Sequence, residues 1–528
     1  MLKRMVEVFL LGVTIMALIV TGLACSGEEA EEAQKTEGSE EAEETVIDTY
    51  IIGDEEGDWG YPSPFAAYPR GPGLLRMFYV FDTLVWKDDS GFTDALAEDW
   101  EFDEAENSYT FTLREGVEWH DGTPFSINDV LFTFEYLKEH PLSWFGLENI
   151  EEVAELDDGR VQVYLKEPHA AFLNNVAGVM PILPEHIWSE VEEPTEFLEP
   201  EAVVGTGPYQ LEDYQREQGR YRYHAYEDYY LGDPLVENLL MVKVSEPHLA
   251  LQRGDVNYAM VEAESVDTLE EANFKVDEGL HDWNLKLMFN HREEPFEQIE
   301  FRRAIAHAID VEEIVERALR GHGLPGSPGM ISPDSRWYAG DAELPDYEHD
   351  PEKALDKLNE IDYDFEREIN LLTMARFSRE AEIAAGQLEE IGLNVETRAL
   401  ESSVLDSRIR EWNYDLAISG HGAVGGDPEM VERFMVGEGS PHLNSRYQHS
   451  ELEEVIQQQS RETDEEQRKE LVSELQQIYA REIPAYTLHH PTWYYAYDDQ
   501  VDWFFTHDGI ATGIPMPLNE RALVRGQG

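Results

Sequence analysis

Between Tyr109 and Leu137 the placing of apolar side chains commits the chain to a strand, a hairpin and a helix in direct succession. Tyr109, Phe111 and Leu113 alternate with Thr110, Thr112 and Arg114, the period of a half-buried strand. Gly116 and the pair Asp121-Gly122 supply turns. Ser126, three residues before Asp129, makes a capping-box-like start ahead of Val130, Leu131, Phe132 and Phe134. His120-Asp121, beside a glycine, reads as turn chemistry rather than as a catalytic pair.

With 528 residues the chain is long enough for two or three domains, each with a full core. Its 42% hydrophobic content is ordinary, but 39 basic against 111 acidic residues leave a net charge of -72. Nucleic acid is excluded as a partner, because its phosphates would be repelled and no basic stripe is present. Binding to anionic lipid through surface charge is excluded on the same ground. The acids are spread along the chain and only 11 of the bases are lysine. Such a surface suits concentrated salt, where screening shortens to a few ångströms and self-repulsion falls.

Lys3 and Arg4 precede an apolar run from Val8 to Val20, shorter than a comfortable membrane span and typical of a signal peptide core. The only cysteine, Cys25, closes the sequence Gly22-Leu23-Ala24-Cys25, so no internal disulfide can form. The four residues resemble a bacterial lipobox, with Gly22 where a branched aliphatic is usual. The resemblance implies residues 1–25 to be a lipoprotein signal peptide ending in a lipidated Cys25; an ordinary signal peptide with an incidental cysteine is the alternative. Residues 26–45 are acidic and nearly free of large apolar side chains, as a disordered tether would be. Val46 to Ile52 reads as a first strand, and no later segment is apolar enough to cross a bilayer. The folded part is therefore expected outside the cytoplasm, anchored to the membrane through lipid.

The stretch from Tyr109 to Leu137 resembles a segment shared by family 5 extracellular solute-binding proteins, the capture subunits of peptide and nickel ABC importers. Gly205-Thr206-Gly207-Pro208-Tyr209, Tyr229 to Pro234, Ala250 to Tyr258 and Phe301 to Asp310 resemble further segments of that family, in the right order. Asp310 is placed to cap a helix that Gly321 ends, and Asp350-Pro351 starts another. Ser450 to Glu453 and Thr463 to Glu466 read as capping boxes, the second opening a helix with Leu471, Leu475, Ile478 and Tyr479 on one face. The resemblance implies an α/β, two-lobed periplasmic-binding-protein-like clamp (type II, large cluster with an inserted extra domain). Lobe one would comprise 46–85, 203–280 and 497–528, the inserted domain 86–202, and lobe two 281–496.

No enzyme motif is present, and carboxylates are too abundant for adjacent pairs to signify; a secreted hydrolase is the rival class. The resemblance implies capture without turnover, no cofactor, importer permease subunits as partners, and a small peptide or a metal chelate as ligand. Two loops are candidates for opposite walls of a cleft. In Gly53 to Gly73 the aromatic cluster Trp59, Tyr61, Phe65 and Tyr68 adjoins Arg70, which could pair with a ligand carboxylate; this loop either lines a cleft or packs on its own domain. The other is Gly420, His421, Val424, Gly425 and Asp427, which ends in the family's Asp-Pro. Val424 occupies the place where peptide-binding members carry an aspartate for the ligand amine, so Asp427 or another carboxylate must substitute. His421 either bonds across the loop or completes the coordination of chelated nickel. Of His489-His490, only one can face a cleft from a strand.

The acidic surface generates a first expectation: the melting temperature should climb with potassium chloride concentration. A protein equally stable in dilute buffer would remove the halophilic reading.

Overall fold

Strand Ile47–Asp54 is the first element of the computed structural model, which describes residues 46–69, 71–88, 91–279, 283–421, 427–429, 431, 436–437, 444–503 and 520–524. It pairs in parallel with Val236–Lys243 and with Tyr258–Val261. A strand flanked by parallel neighbours has both faces covered. Tyr50 and Ile52 accordingly enter the largest apolar core, and Ile51 packs on the opposite face against helices Pro247–Arg253 and Val266–Glu271. The full sheet has seven strands, in the order Lys275–Glu278, Tyr494–Tyr497, Tyr258–Val261, Ile47–Asp54, Val236–Lys243, Arg220–Ala225, Tyr209–Gln215.

The strand expected around Tyr109 runs Ser108–Leu113, inside a four-stranded antiparallel sheet with Ala97–Asp103, Val161–Leu165 and Ile150–Glu155. Helix Ile127–Glu139 covers it, burying Val130, Phe134 and Leu137. Ser126 and Asp129 form the capping box, with Ser126 N–H donating to Asp129 Oδ2 at 2.7 Å.

The two family-like motifs meet at one joint. His120 N–H donates to Gly205 O at 2.9 Å, Gly205 N–H donates to His120 Nδ1 at 3.3 Å, and His120 Nε2 lies 2.8 Å from Gly207 O. Burial pushes the His120 pKa down to about 4, against the pull of the Gly207 carbonyl, so the ring is neutral here. Asp121 accepts from Thr123 N–H at 2.9 Å and pairs with His186, which completes the turn. Gly205 is required at the joint, because a Cβ there would stand 1.8 Å from Val80 O. The seven-stranded and four-stranded sheets consequently share a single apolar core.

A six-stranded sheet forms separately, in the order Gly323–Pro325, Ala485–Pro491, Asn284–Phe289, Leu416–His421, Glu368–Met374, Asn394–Leu400. Asn284–Phe289 and Ala485–Pro491 are buried at every position. Two further cores, one around this sheet and one around helices Ser450–Arg461 and Glu465–Glu482, are distinct from the first. Asp310 caps helix Val311–Ala318 and Asp350 caps helix Pro351–Glu360, as the sequence indicates. The last two caps each differ by one residue. His449, not Ser450, accepts from Leu452 N–H, and Asp464, not Thr463, accepts from Gln467 N–H. In the second case a carboxylate one residue on offers the helix start a charged acceptor in place of a hydroxyl.

Residues from Thr45 to Gly528 form one compact unit. No helix among the described residues is long and apolar enough to cross a membrane.

Gly205→Ala should cost about 1–3 kcal/mol through overpacking at the joint. Urea denaturation of the variant would show this as a lower midpoint with an unaltered slope.

Candidate ligand-binding cleft

The two bodies, one holding the seven- and four-stranded sheets and one the six-stranded sheet, are joined where the chain passes between them. Trp283, at the start of one crossing, meets Trp493 of the other edge to face, with ring centroids 5.2 Å apart. Gly279 N–H donates to Trp493 O at 2.7 Å. His490 fixes the same point: its Nδ1 lies 2.9 Å from Trp283 O, and its Nε2 accepts from Ser327 N–H at 3.3 Å. The Arg376 guanidinium lies 5.7 Å from the Trp283 ring centroid and 4.7 Å from that of Phe377. Gly420 completes this hinge. A Cβ there would stand 2.8 Å from the Trp283 ring and 2.9 Å from Asn284 O, so the glycine lets the indole lie against its strand.

Away from the hinge the bodies touch through polar groups. Tyr68 OH donates to Asp406 Oδ2 at 2.6 Å, and Asp406, on helix Ser402–Arg410, is buried. Arg320 pairs with Glu264 at 2.7 Å, and His322 Nδ1 lies 3.1 Å from Tyr494 OH. The first body presents Glu55 and Glu262 to this seam. Desolvation raises both carboxyl groups above the usual range; Glu262 and Asp54 add to the effect on Glu55, and Glu264 and Glu380 to that on Glu262. Arg376 and Arg379 of the second body oppose those shifts.

Of the residues singled out from sequence, Tyr68 reaches across the seam. Trp59 is buried in its own body, with Nε1 donating to Asp54 Oδ2 at 2.9 Å; Asp54 also pairs with Arg76. Tyr61 packs on Tyr214, and Phe65 fits between Tyr136 and Trp188. Arg70, Val424, Gly425 and Cys25 lie outside the described residues. His421 ends strand Leu416–His421, paired with Asn284, and its side chain lies outside the described set. Both oxygens of Asp427 are engaged by Arg468, at 2.7 and 3.0 Å, in a buried bidentate pair. His489 Nε2 is 3.6 Å from Glu380 Oε1, both side chains being buried.

Asp406, Trp283 and Arg376 were not legible as seam residues. Asp406 is one acid among 111, and no local pattern separates it from the solvated ones.

Two cores of mixed α/β construction, a narrow hinge and a polar seam define a two-lobed solute-binding clamp. The family described as bacterial extracellular solute-binding proteins, family 5 Middle, matches residues 91–439, and the chain belongs to it. The chain is similar to the dipeptide-binding protein of Escherichia coli (strain K12), 25% identical over 443 residues that cover 75% of this chain and 80% of that protein. Among solved structures it is similar to the oligopeptide-binding protein AppA from Bacillus subtilis in complex with a nonapeptide. The TM-score is 0.76 at 21% identity, covering 89% of this chain and 97% of that one. It is likewise similar to NikZ from Campylobacter jejuni in complex with Ni(L-His), with a TM-score of 0.74 at 22% identity, over 86% and 94% of the two chains.

Tyr68→Phe removes a hydrogen bond to a charged acceptor that exists only while the lobes are together. Ligand affinity should fall roughly tenfold, since such a bond is worth about 1.5–3 kcal/mol, part of which water restores. Ligand-free melting should barely move, and calorimetric titration beside a thermal melt checks both.

Proposed function

We propose that the protein is the extracytoplasmic substrate-binding subunit of an ABC importer and captures peptides or peptide-like solutes by closing its lobes. The observation that carries this reading is a polar seam hinged at Trp283 and Trp493, in a chain of family 5. Closure over a small molecule gives the importer's permease subunits a shape to recognise, and nothing in the cycle requires turnover. Similarity to a dipeptide-binding protein and to a nonapeptide complex supports a peptide ligand. Tyr68 and Asp406 stand on opposite lobes, where a ligand backbone could be gripped from both sides. The signal-peptide pattern before Cys25 supports attachment to the membrane through a lipid on that cysteine, with residues 26–45 as the tether.

A nickel chelate is the second reading. Similarity to NikZ with Ni(L-His) favours it, together with the position of His421 beside the hinge glycine at a strand end. A neutral imidazole suits Ni(II), and one protein ligand suffices where a chelator supplies the rest.

Mass spectrometry with metal analysis distinguishes the two. The protein lacking residues 1–25, purified in high salt and then denatured, should release a ladder of short peptides. Release of nickel with a small organic chelator instead would overturn the peptide reading and assign His421 to the metal. Turnover of a bound peptide would overturn both.

A further inference from the structure

Besides the hinge and the contacts around Tyr68, the lobes meet a third time, through the segment that follows strand Val161–Leu165. Phe172 is fully buried and stacks on Tyr109 with centroids 4.6 Å apart, and Leu84 N–H donates to Ala177 O at 3.1 Å. Residues 169–177 are thereby fixed to the first body. Across the seam lie the turn Asp427 to Glu429 and the end of helix Ser450–Arg461. Ala170 N–H donates to Ser460 O at 2.8 Å, and Glu167 pairs with Arg461. Asn175 Nδ2 donates to Glu429 Oε2 at 2.5 Å, and His169 Nε2 stands 2.6 Å from Glu429 Oε1.

The charges here are unequally matched. His169 faces Glu429, with Asp427 and Arg468 beyond it. Arg468 is spent on Asp427, whose two oxygens it holds in a bidentate pair. Glu429 therefore takes its counter-charge mainly from His169, with a hydrogen bond from Asn175 and a smaller pull from Arg468. Both side chains of the pair are largely withdrawn from water, at 21% and 11% exposure. A carboxylate in such a place is costly unless its partner is charged.

We propose that this contact is a proton-dependent clasp, in which the inserted domain grips lobe two through His169 and Glu429 and holds the clamp shut while His169 carries its proton. The inference rests on the reading above only in that ligand is held by closure; His169 and Glu429 act as positioning residues and need not touch it. Burial alone would lower the His169 pKa, and Arg468 pulls the same way. The Glu429 carboxylate and Asp427 outweigh them and hold the imidazole above its ordinary value, while His169 keeps Glu429 below the usual carboxylate range despite its burial. In the open clamp His169 meets water and titrates near its ordinary value of about 6.5. The closed form thus binds the proton more tightly, so its advantage is complete below about pH 6.5 and lost as pH rises through the raised value. At the acid end the clasp persists until Glu429 protonates.

The test begins without ligand. Spin labels on cysteines replacing exposed Glu152 and Glu474, in the full chain carrying Cys25→Ser, report the distance between the inserted domain and lobe two. The distribution should be short and narrow at about pH 6 and shift to longer distances at about pH 9. His169→Gln and Glu429→Gln should each abolish the shift while leaving urea stability at about pH 9 unchanged. A distribution identical at both pH values, or a shift that survives in both variants, would overturn the clasp. A defined mixture of dipeptides to pentapeptides then serves as the ligand probe. Its affinity should fall roughly fivefold or more over the same pH range in the unaltered protein and not in the variants. Absence of peptide binding at either pH would count against the peptide reading alone, since the label distances judge the clasp without ligand.

Discussion

Everything functional in this molecule depends on its apolar side chains being gathered into cores that lie wholly on one side or the other of a polar seam. Tyr50, Phe111, Phe134 and Trp188 belong to one continuous core, which fuses the seven-stranded sheet and the inserted four-stranded sheet into a single body. Leu287, Ile305, Ile369 and Leu388 belong to another. Burial at roughly 25 cal/mol per Å² of apolar surface makes each body rigid, whereas exposed ion pairs across a seam contribute only about 0–1 kcal/mol apiece. Opening breaks contacts of this polar kind together with a few more buried ones, Tyr68 with Asp406 and His169 with Glu429. The balance between open and closed is then small enough for a bound solute to decide it.

The hinge shows how few residues such a motion needs. Trp283 and Trp493 sit at the crossings, braced by His490, whose two ring nitrogens hold Trp283 O and Ser327 N–H. Gly420 contributes by lacking a side chain. Gly420, a candidate wall of the cleft from sequence, is thus the residue that lets a hinge indole approach its strand. These two roles are compatible, because the end of a strand beside a hinge is where a cleft between lobes begins.

Much of the local architecture was legible because it is written in adjacent residues. The capping box at Ser126, the Asp310 cap and the Asp350-Pro351 start each need only a short window, and the structure has them where the pattern indicates. The turn character of His120-Asp121 was equally legible, but its purpose was not. His120 bonds to Gly205 and Gly207, which lie far along the chain, and no spacing rule connects them. The cleft was the least legible part. The sequence left the loop of Trp59 and Phe65 open between lining a cleft and packing on its own domain, and both residues pack inside their own body, since aromatic rings in a glycine- and proline-rich loop serve cores as readily as ligands. That Asp427, a candidate acceptor for a ligand amine, is held by Arg468 was not legible, because Arg468 lies on a helix some forty residues later.

The acidity of the chain acts on the same seam. With a net charge of -72, two lobes approaching one another repel unless their facing surfaces are arranged against it. Along one part of the seam the arrangement is asymmetric: Glu55, Glu262 and Glu264 come from the first body, and Arg320, Arg376 and Arg379 from the second. Nearer the inserted domain both senses occur side by side, with Glu167 and His169 on the first body facing Arg461 and Glu429 on the second. Opposed pairs of opposite sense fix the register in which the lobes meet, since sliding one past the other would set like charges together. Concentrated salt screens the long-range repulsion between the bodies far more than it weakens the 2.6 Å contact of His169 with Glu429, which is largely shielded from water. Screening of that repulsion by salt lowers the electrostatic cost of bringing two acidic bodies together.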